Sequence, residues 1–407
     1  MEAERQMRRL NLAQNEIAMT DQTCSNSTGN TISLKLYLPD HTPEAVKEAV
    51  DKVLDNADVF AASLYQGENG WMLSYGEGKI SECDIEKERS ADWVEGYMDI
   101  SDRLRMDAER RLYRANVFPL TGGGVLLYVR FHHIIMDGHG MSLFVQRVLD
   151  VLAGKEIEPS VFNVGEVADL EDSPNDVDEK EFWKSYFLDA DFEAAVFSRK
   201  TDGTKFSSYR DSVPDTIMQA VESYGEKENI SIPCLFAAAY AFYLAQATDK
   251  KDAVFLMPCL NRTLEQMDTL GCYTLFVPVR VRVDAEDTFA ELCRKVKTAA
   301  GEASAHSTCG FHYILTVLRE ENMIGESISE YMFYFYQFSF QTDLRYKARF
   351  GVAGNMPNHL TFSLLRNEKG GLDLQFDYQE GIYTEKGARN LCEAVITILL
   401  GGVQGIG

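Results

Sequence analysis

Along this chain the spacing of apolar residues changes repeatedly from that of a β-strand to that of an α-helix. Between Thr31 and Leu38 apolar side chains occupy every second position, as they do in a half-buried strand. Thr42 then suits a helix N-cap, Pro43 suits the first helical position, and a helical stripe of apolar residues follows. Strands and helices that alternate in this way predict an α/β fold.

The length of the chain and one acidic stretch predict two lobes. A chain of 407 residues exceeds one typical domain. The stretch from Gly165 to Lys184 is acidic and polar, and we interpret it as the linker between a lobe at 1–170 and a lobe at 171–407. In the second lobe we predict a buried helix that starts at Ser231 and a last helix from Lys386 that stops at Gly401-Gly402.

The charge balance argues against two classes of partner. The chain carries 63 acidic and 40 basic residues, which gives a formal net charge of −23. Nucleic acids and anionic membranes are bound through clustered lysine and arginine side chains. We therefore expect neither of them as a partner.

Three features predict a cytoplasmic protein. The residues from Met1 to Arg9 are charged and lack the apolar core of a signal peptide. The longest apolar run, from Cys234 to Ala245, is shorter than the ~18 residues that suggest a membrane span. The eight cysteines contain no Cys-x-x-Cys pair, so we expect free thiols in a reducing compartment.

One segment, from Arg130 to Gly140, holds three of the seven histidines, and it lies between a predicted strand and a predicted helix. A histidine pair at a strand end can be purely structural. The side chains of His132, His133, Asp137 and His139 are also metal-ligand types, but the usual pair of histidines four residues apart on one helix is not present. Alternatively, a strand–turn–helix junction can expose an imidazole at a cleft, where it titrates near neutrality and can accept a proton.

The run His132-His133-Ile134-Ile135-Met136-Asp137-Gly138 matches a known signature at every fixed position. It resembles the His-His-x-x-x-Asp-Gly motif of nonribosomal peptide synthetase condensation domains, which are part of the chloramphenicol acetyltransferase-like superfamily. Similar stretches follow in the family's order, and together they cover nearly the whole chain: Leu12-Ala13-Gln14, Pro258 to Arg262, Gly271 to Arg280, and His306 with Gly310-Phe311.

The chain also departs from the family pattern. The stretch from Asp55 to Ala62 lacks an Arg-His pair, and Leu275 stands where asparagine is usual. Gly310 replaces a usual proline, and Gly140 replaces a frequent serine. These departures leave the catalytic group in place but affect the expected substrate type.

The resemblance implies two acetyltransferase-like lobes in a V-shaped pseudodimer, with the active site in a tunnel between them. It also implies that an amine attacks an acyl thioester and that His133 hydrogen-bonds this amine, either as a base or to position it. His132 is then structural, supporting the turn.

For the remaining motif residues, the resemblance implies that Asp137 is a structural carboxylate, and Arg262 is our candidate for its partner. Gly138 allows close backbone approach, and its N–H is expected to face the developing oxyanion. His139 lies outside the motif, and we expect it to line the channel or face solvent.

The resemblance implies no permanently bound cofactor and no metal. The substrates are expected to arrive as phosphopantetheine thioesters on carrier proteins, or as acyl-CoA. The expected partners are a donor and an acceptor carrier protein and an adjacent adenylation domain, and the expected oligomeric state is a monomer.

Several functional subtypes remain open. We favour a starter type that acylates the first amino acid, because the chain begins at Met1 and because Asp137-Gly138-His139-Gly140 resembles variants of some starter domains. A free-standing acyl-CoA or acyl-carrier N- or O-acyltransferase is an alternative, although we find no Asp-Phe-Gly-Trp-Gly motif of the plant-type enzymes. An epimerisation domain and a non-catalytic relative that recruits a partner enzyme are further alternatives.

Overall fold

The structure is a computed structural model that describes residues 6–23, 30–67, 70–75, 83–104, 106, 111–158, 176–194, 206–325, 327–336, 340–353, 360–367 and 370–405. In chain order its α-helices are α1 Leu12–Thr23, α2 Pro43–Asp55, α3 Ala91–Asp102, α4 Gly138–Leu152, α5 Asp176–Tyr186, α6 Asp215–Glu228, α7 Ile232–Thr248, α8 Phe289–Ala305, α9 Phe311–Glu320 and α10 Glu385–Gln404. Its strands are β1 Gln6–Arg9, β2 Thr31–Leu38, β3 Ala62–Gly67, β4 Gly70–Tyr75, β5 Cys83–Ile85, β6 Tyr113–Pro119, β7 Val125–His132, β8 Phe206–Ser212, β9 Asp252–Cys259, β10 Leu275–Arg282, β11 Tyr331–Tyr336, β12 Lys347–Ala353, β13 Leu360–Arg366 and β14 Leu372–Gln379.

The chain forms two compact units, each of which combines helices with a mixed sheet. The first contains Met1–Asp172, Leu260–Thr274 and Phe338–Met356, and the second contains Ser173–Cys259, Leu275–Gln337 and Pro357–Gly407. The predicted two-lobed α/β fold is therefore confirmed. A single division at 170/171 does not describe it fully, because two later segments of the sequence belong to the first unit.

The predicted linker from Gly165 to Lys184 needs a correction. Its first part lies outside the described residues, and the part from Asp176 onwards is helix α5. The side chain of Trp183 in this helix is fully buried. The first boundary between the units, Asp172/Ser173, does fall within the predicted linker, but the burial of Trp183 makes the helix from Asp176 onwards part of the second unit.

The first unit is built on a five-stranded sheet with the strand order β12-β2-β7-β6-β5. β2 and β7 pair antiparallel, with Thr31 opposite His132 and Leu38 opposite Val125. Helix α2 follows β2 as predicted, because the Thr42 side chain accepts a hydrogen bond from the Ala45 amide and the predicted apolar stripe is buried. This central pairing fixes the end of β7, where the histidine pair begins.

Two further features complete the first unit. β12 pairs antiparallel with β2, with Lys347 opposite Tyr37 and Ala353 opposite Thr31, although the two strands are far apart in the sequence. A smaller sheet has the strand order β1-β4-β3. β12 is the reason that a late segment of the chain belongs to the first unit.

The second unit is built on a six-stranded sheet with the strand order β10-β9-β11-β13-β14-β8. Helix α7 was predicted to be buried, and the side chains of Leu235, Phe236 and Tyr240 in this helix are indeed fully buried. Helix α10 continues through Gly401 and Gly402, where we predicted its end. A Cβ atom on Gly402 would lie 2.4 Å from the Phe289 ring, so this glycine permits close packing and does not stop the helix.

Within the described residues, no single helix has both the length and the apolar composition of a membrane span. The helices α6 and α7 meet these criteria only when they are taken together, and they are bent by 103° relative to each other.

Candidate active site

The histidine pair lies where β7 changes into a short 3-10 turn, His133–Ile135, before helix α4. The backbone of both histidines is held by hydrogen bonds. The His132 amide donates to Leu112 O at 2.7 Å, and the His133 amide donates to Asn30 O at 2.6 Å. The His132 ring is buried, and its Nδ1 accepts a hydrogen bond from the Ile134 amide at 3.2 Å. The His132 imidazole therefore closes the turn that carries His133.

Asp137 is the N-cap of α4, and its carboxylate is completely buried. Its Oδ1 accepts a hydrogen bond from the Gly140 amide at 2.7 Å, which satisfies one of the free amides at the start of the helix. Its Oδ2 accepts from the amides of Tyr273 and Thr274 and from the Thr274 hydroxyl, at 2.9–3.1 Å. This carboxylate therefore joins the histidine turn to a segment that follows much later in the sequence.

Arg262 lies beside Asp137, as we predicted. Its Nη2 is 3.1 Å from Oδ1 and 3.2 Å from Oδ2, and neither side chain has exposed surface. The guanidinium also donates to the backbone carbonyls of Gln266, Thr269 and Gly271. A buried charge needs this degree of compensation, so the pair is the electrostatic centre of the site's framework.

The protonation state of Asp137 follows from these contacts. Burial alone would raise the pKa of its carboxyl, but the charge of Arg262 and the amide donors of Gly140 and Tyr273 hold the pKa below its ordinary value. Asp137 is therefore ionised at neutral pH. The ionised carboxyl has no proton to donate. Its two oxygens accept hydrogen bonds from Gly140, Arg262, Tyr273 and Thr274, so they are engaged within the protein.

Two glycines allow these segments to approach each other closely. A Cβ atom on Gly140 would lie 2.7 Å from Met136 Sδ and 2.9 Å from Gly271 O. On Gly271, a Cβ atom would lie 2.6 Å from the Tyr273 ring. This crowding gives a physical reason for Gly140, where a serine is frequent in the family.

The beginning of helix α1 supports the same turn. Gln14 Nε2 donates to Ile134 O at 3.0 Å, and Asn11 Nδ2 donates to Cys272 O at 2.9 Å. Asn11 and Gln14 also cap each other, since the amide of each donates to the side-chain oxygen of the other. The Ala-Gln stretch noted in the sequence thus has a structural role, because Gln14 holds the carbonyl of the histidine turn.

His133, Gly138 and the neighbouring His139 complete the description of this segment. The ring of His133 is partly buried, with Nδ1 3.8 Å from Cys272 Sγ. Gly138 is the first residue of α4, a position whose N–H has no acceptor within the helix. We expected His139 to line a channel or face solvent; it is half-buried, and its Nε2 lies 2.7 Å from Met267 O, to which it must donate.

Sequence reasoning did not identify Cys272, Thr274 or Asn11 as parts of the site. Cys272 is separated from His133 by 139 positions, and a cysteine between apolar residues is normally a small core side chain. Cys272 lies in the stretch Gly271 to Arg280 that resembles the family, but nothing in that stretch marks it as a neighbour of His133. Among the residues that the structure describes, no group of three or more His, Cys, Asp and Glu side chains is arranged to hold a metal ion.

A family model described as "Condensation domain" matches residues 4–404. The chain belongs to the condensation-domain family. Condensation domains are acyltransferases that form amide bonds in nonribosomal peptide synthesis, and they use phosphopantetheine-tethered substrates without a permanent cofactor. The predicted family and enzyme class are therefore confirmed.

The condensation domain is similar to a small part of much longer proteins and to solved domains of its own size. Surfactin synthase subunit 1 of Bacillus subtilis (strain 168) is 22% identical over 379 residues, which cover 87% of this chain and 10% of that protein. The first condensation domain of the calcium-dependent antibiotic synthetase, in complex with a substrate analogue, has a TM-score of 0.83 at 17% identity and covers 98% of this chain and 96% of its own. A starter condensation domain of rhizomide synthetase, a variant in complex with C8-CoA and Leu-SNAC, has a TM-score of 0.81 at 16% identity, with coverages of 98% and 94%. At these identities the structural likeness shows the fold.

Proposed function

We propose that this condensation domain transfers an acyl group from a phosphopantetheine thioester to the amine of a carrier-bound amino acid. One observation carries the proposal: His133 lies in the turn after strand β7, and the buried pair of Asp137 and Arg262 holds this turn in place. The amine nitrogen attacks the thioester carbonyl carbon, the C–N bond forms and the C–S bond breaks. The nitrogen loses a proton and the leaving sulfur takes one up, so that an amide and a thiol result.

In this proposal His133 accepts a hydrogen bond from the attacking amine. Only the neutral amine has a lone pair, and an α-amino pKa of about 8 leaves a minority neutral at pH 7. An imidazole that accepts its N–H orients the lone pair towards the carbonyl. Alignment can contribute up to ~7–11 kcal/mol, and general base catalysis typically contributes ~10²–10⁴-fold.

We assign Gly138 to the developing oxyanion. As the first residue of α4, it has an amide without an intrahelical acceptor, at the positive end of the helix dipole. A backbone N–H in this position stabilises negative charge on the thioester oxygen in the transition state. Asp137 takes no part in proton transfer, because its oxygens are occupied and it caps the helix that presents this amide.

The finer proposal is chain-initiating N-acylation, with a fatty or aryl donor. It is supported by the sequence Asp137-Gly138-His139-Gly140 and by the similarity to a starter domain in complex with C8-CoA and Leu-SNAC. We further propose that the protein acts in the cytoplasm as a monomer, beside an adenylation domain and between donor and acceptor carrier proteins.

The test is intact-protein mass spectrometry of an acceptor carrier protein that is loaded with an amino acid. Acyl-CoA and acyl-carrier donors with fatty, aryl and peptidyl groups are supplied in parallel to the unmodified domain, to His133→Ala and to His41→Ala. The control also loses one imidazole, but His41 lies beyond Leu38, and the register of β2 with β7 places Leu38 at the opposite end of the strand pair from His132. We expect an acyl-sized mass gain that His133→Ala reduces by at least ~10²-fold and that His41→Ala preserves.

The other outcomes identify the alternatives. Equal mass gain with folded His133→Ala would refute the assigned role of this histidine. Transfer to a free amine or alcohol in place of the carrier-bound amino acid would indicate a free-standing acyltransferase. Deuterium uptake at the Cα of the loaded amino acid in D₂O, without any mass gain from a donor, would indicate an epimerisation domain.

A further inference from the structure

A thiol–imidazole contact lies inside the candidate site and has no role in the mechanism above. Cys272 Sγ is 3.8 Å from His133 Nδ1, within the range of a hydrogen bond to sulfur. The cysteine is fully buried, so its side chain cannot turn away into solvent.

The backbone around Cys272 is held in place on both sides. The carbonyl of Gly271 accepts hydrogen bonds from the Asp137 amide at 3.1 Å and from Arg262 at 3.2 Å. The carbonyl of Cys272 itself accepts from Asn11, and the next amide, that of Tyr273, donates to Asp137 at 2.9 Å. Because the same carboxylate caps the helix after His133, both partners of the contact are fixed to one buried group.

We propose that Cys272 is a positioning residue, whose sulfur accepts a hydrogen bond from His133 Nδ1–H and thereby leaves the Nε2 lone pair for the amine. The inference rests on the proposed function, since it concerns the same histidine. Of the two neutral tautomers, only the one with a proton on Nδ1 has an acceptor at Nε2. A thiol can either accept from Nδ1–H or donate its S–H to a bare Nδ1, and we propose the first arrangement because only it leaves an acceptor at Nε2.

The chemistry of a thiol suits this role. Burial raises the pKa of the Cys272 thiol well above its ordinary value, and the nearby charge of Asp137 acts in the same direction, so the group stays S–H. A neutral sulfur orients the imidazole without placing a negative charge beside it. This differs from the carboxylate that holds the histidine in a Ser-His-Asp triad and stabilises the imidazolium. The contact therefore favours a neutral His133 that accepts from the amine and aligns it. It does not favour a His133 that acts as a strong base.

The first experiment measures the tautomer directly. The protein is labelled with ¹⁵N-histidine, and the His133 signals among its seven imidazoles are identified by their loss in His133→Ala. We expect the chemical shifts of the Nδ1–H tautomer in the unmodified protein and a mixed or Nε2–H population in Cys272→Ala. Cys83→Ala is the matched control, since it removes another buried thiol of the first unit, from strand β5, and should leave His133 unchanged.

The second experiment measures the kinetics of acyl transfer. Cys272→Ala should lower kcat by about three- to tenfold with little change in KM, because a lost hydrogen bond of this kind weakens alignment and leaves substrate binding intact. Cys272→Ser should restore most of the rate, since a hydroxyl also accepts from Nδ1–H.

The outcomes separate this inference from the proposed function. An Nε2–H tautomer in the unmodified protein, or the same His133 spectrum in Cys272→Ala, would overturn the inference even if acyl transfer is observed. If no donor is accepted, the proposed function fails, but the tautomer measurement still decides the role of Cys272. A kcat that Cys272→Ala leaves unchanged would also refute the positioning role.

Discussion

Replacing Arg262 with methionine tests the electrostatic framework of the site. Methionine keeps much of the aliphatic volume and removes the guanidinium that neutralises Asp137, and neither side chain of the pair is exposed. Removing one partner of a buried ion pair costs about 3–5 kcal/mol, because the other charge stays buried. Asp137 would retain four hydrogen-bond donors, from residues 140, 273 and 274, so we expect a loss of about 3 kcal/mol in the free energy of unfolding.

The pH dependence of this loss has a definite sign. Arg262 and the amide donors hold the folded pKa of Asp137 below its unfolded value of about 3.9. The stabilisation from the carboxylate is therefore complete above about pH 4 and is lost as the pH falls through the folded pKa. In Arg262→Met the folded pKa rises and protonation relieves the uncompensated charge. Because the unfolded states are alike, the difference between the two proteins should be largest at neutral pH and should shrink as the pH falls through the raised folded pKa of Asp137 in the variant.

The assay is equilibrium unfolding in urea, followed by circular dichroism at pH 7 and at lower pH. Because the two units can unfold in separate steps, hydrogen exchange of peptides from α4 identifies the transition of the first unit. Arg345→Met is the matched control: it removes an arginine of the same unit whose pair with Asp40 is largely exposed, and we expect no measurable change. A loss below about 1 kcal/mol for Arg262→Met at pH 7, or a loss equal to that of the control, would refute the reasoning.

Two further substitutions test the packing around the turn. Gly140→Ala should destabilise the domain by about 1–3 kcal/mol, because the new Cβ would lie 2.7 Å from Met136 Sδ and 2.9 Å from Gly271 O; an unchanged urea midpoint would contradict this. Gln14→Leu should cost about 1–3 kcal/mol, because Ile134 O loses a buried side-chain donor. If hydrogen exchange of residues 132–137 stayed as slow in Gln14→Leu as in the unmodified protein, Gln14 would not support the turn.

Local sequence patterns predicted the elements whose signals lie close together. β2 has its predicted bounds, Thr31 to Leu38, because its apolar side chains alternate along the strand, and those at 32, 34, 36 and 38 are all buried. Helix α2 begins after Thr42 as predicted, because a cap, a proline and an apolar stripe all lie within one short stretch. Such signals depend on neighbours a few residues away, so they are readable without the rest of the fold.

The candidate site was predictable only in part. The motif from His132 to Gly138 is a continuous run, so the resemblance could locate it, and the same resemblance suggested Arg262 as the partner of Asp137. The hydrogen bond from His139 to a backbone carbonyl was not predicted, because the sequence around a histidine does not reveal which carbonyl will lie beside it.

The tertiary structure alone decided how distant segments combine. It placed residues 260–274 and strand β12 in the first unit, and it brought Cys272 to His133 across 139 positions. It also kept Gly402 inside a helix and placed the Phe289 ring in the space that a side chain at this position would need. The spacing of side chains in a sequence encodes which face of an element is buried, but the neighbour on that face is chosen by the packing of the whole unit.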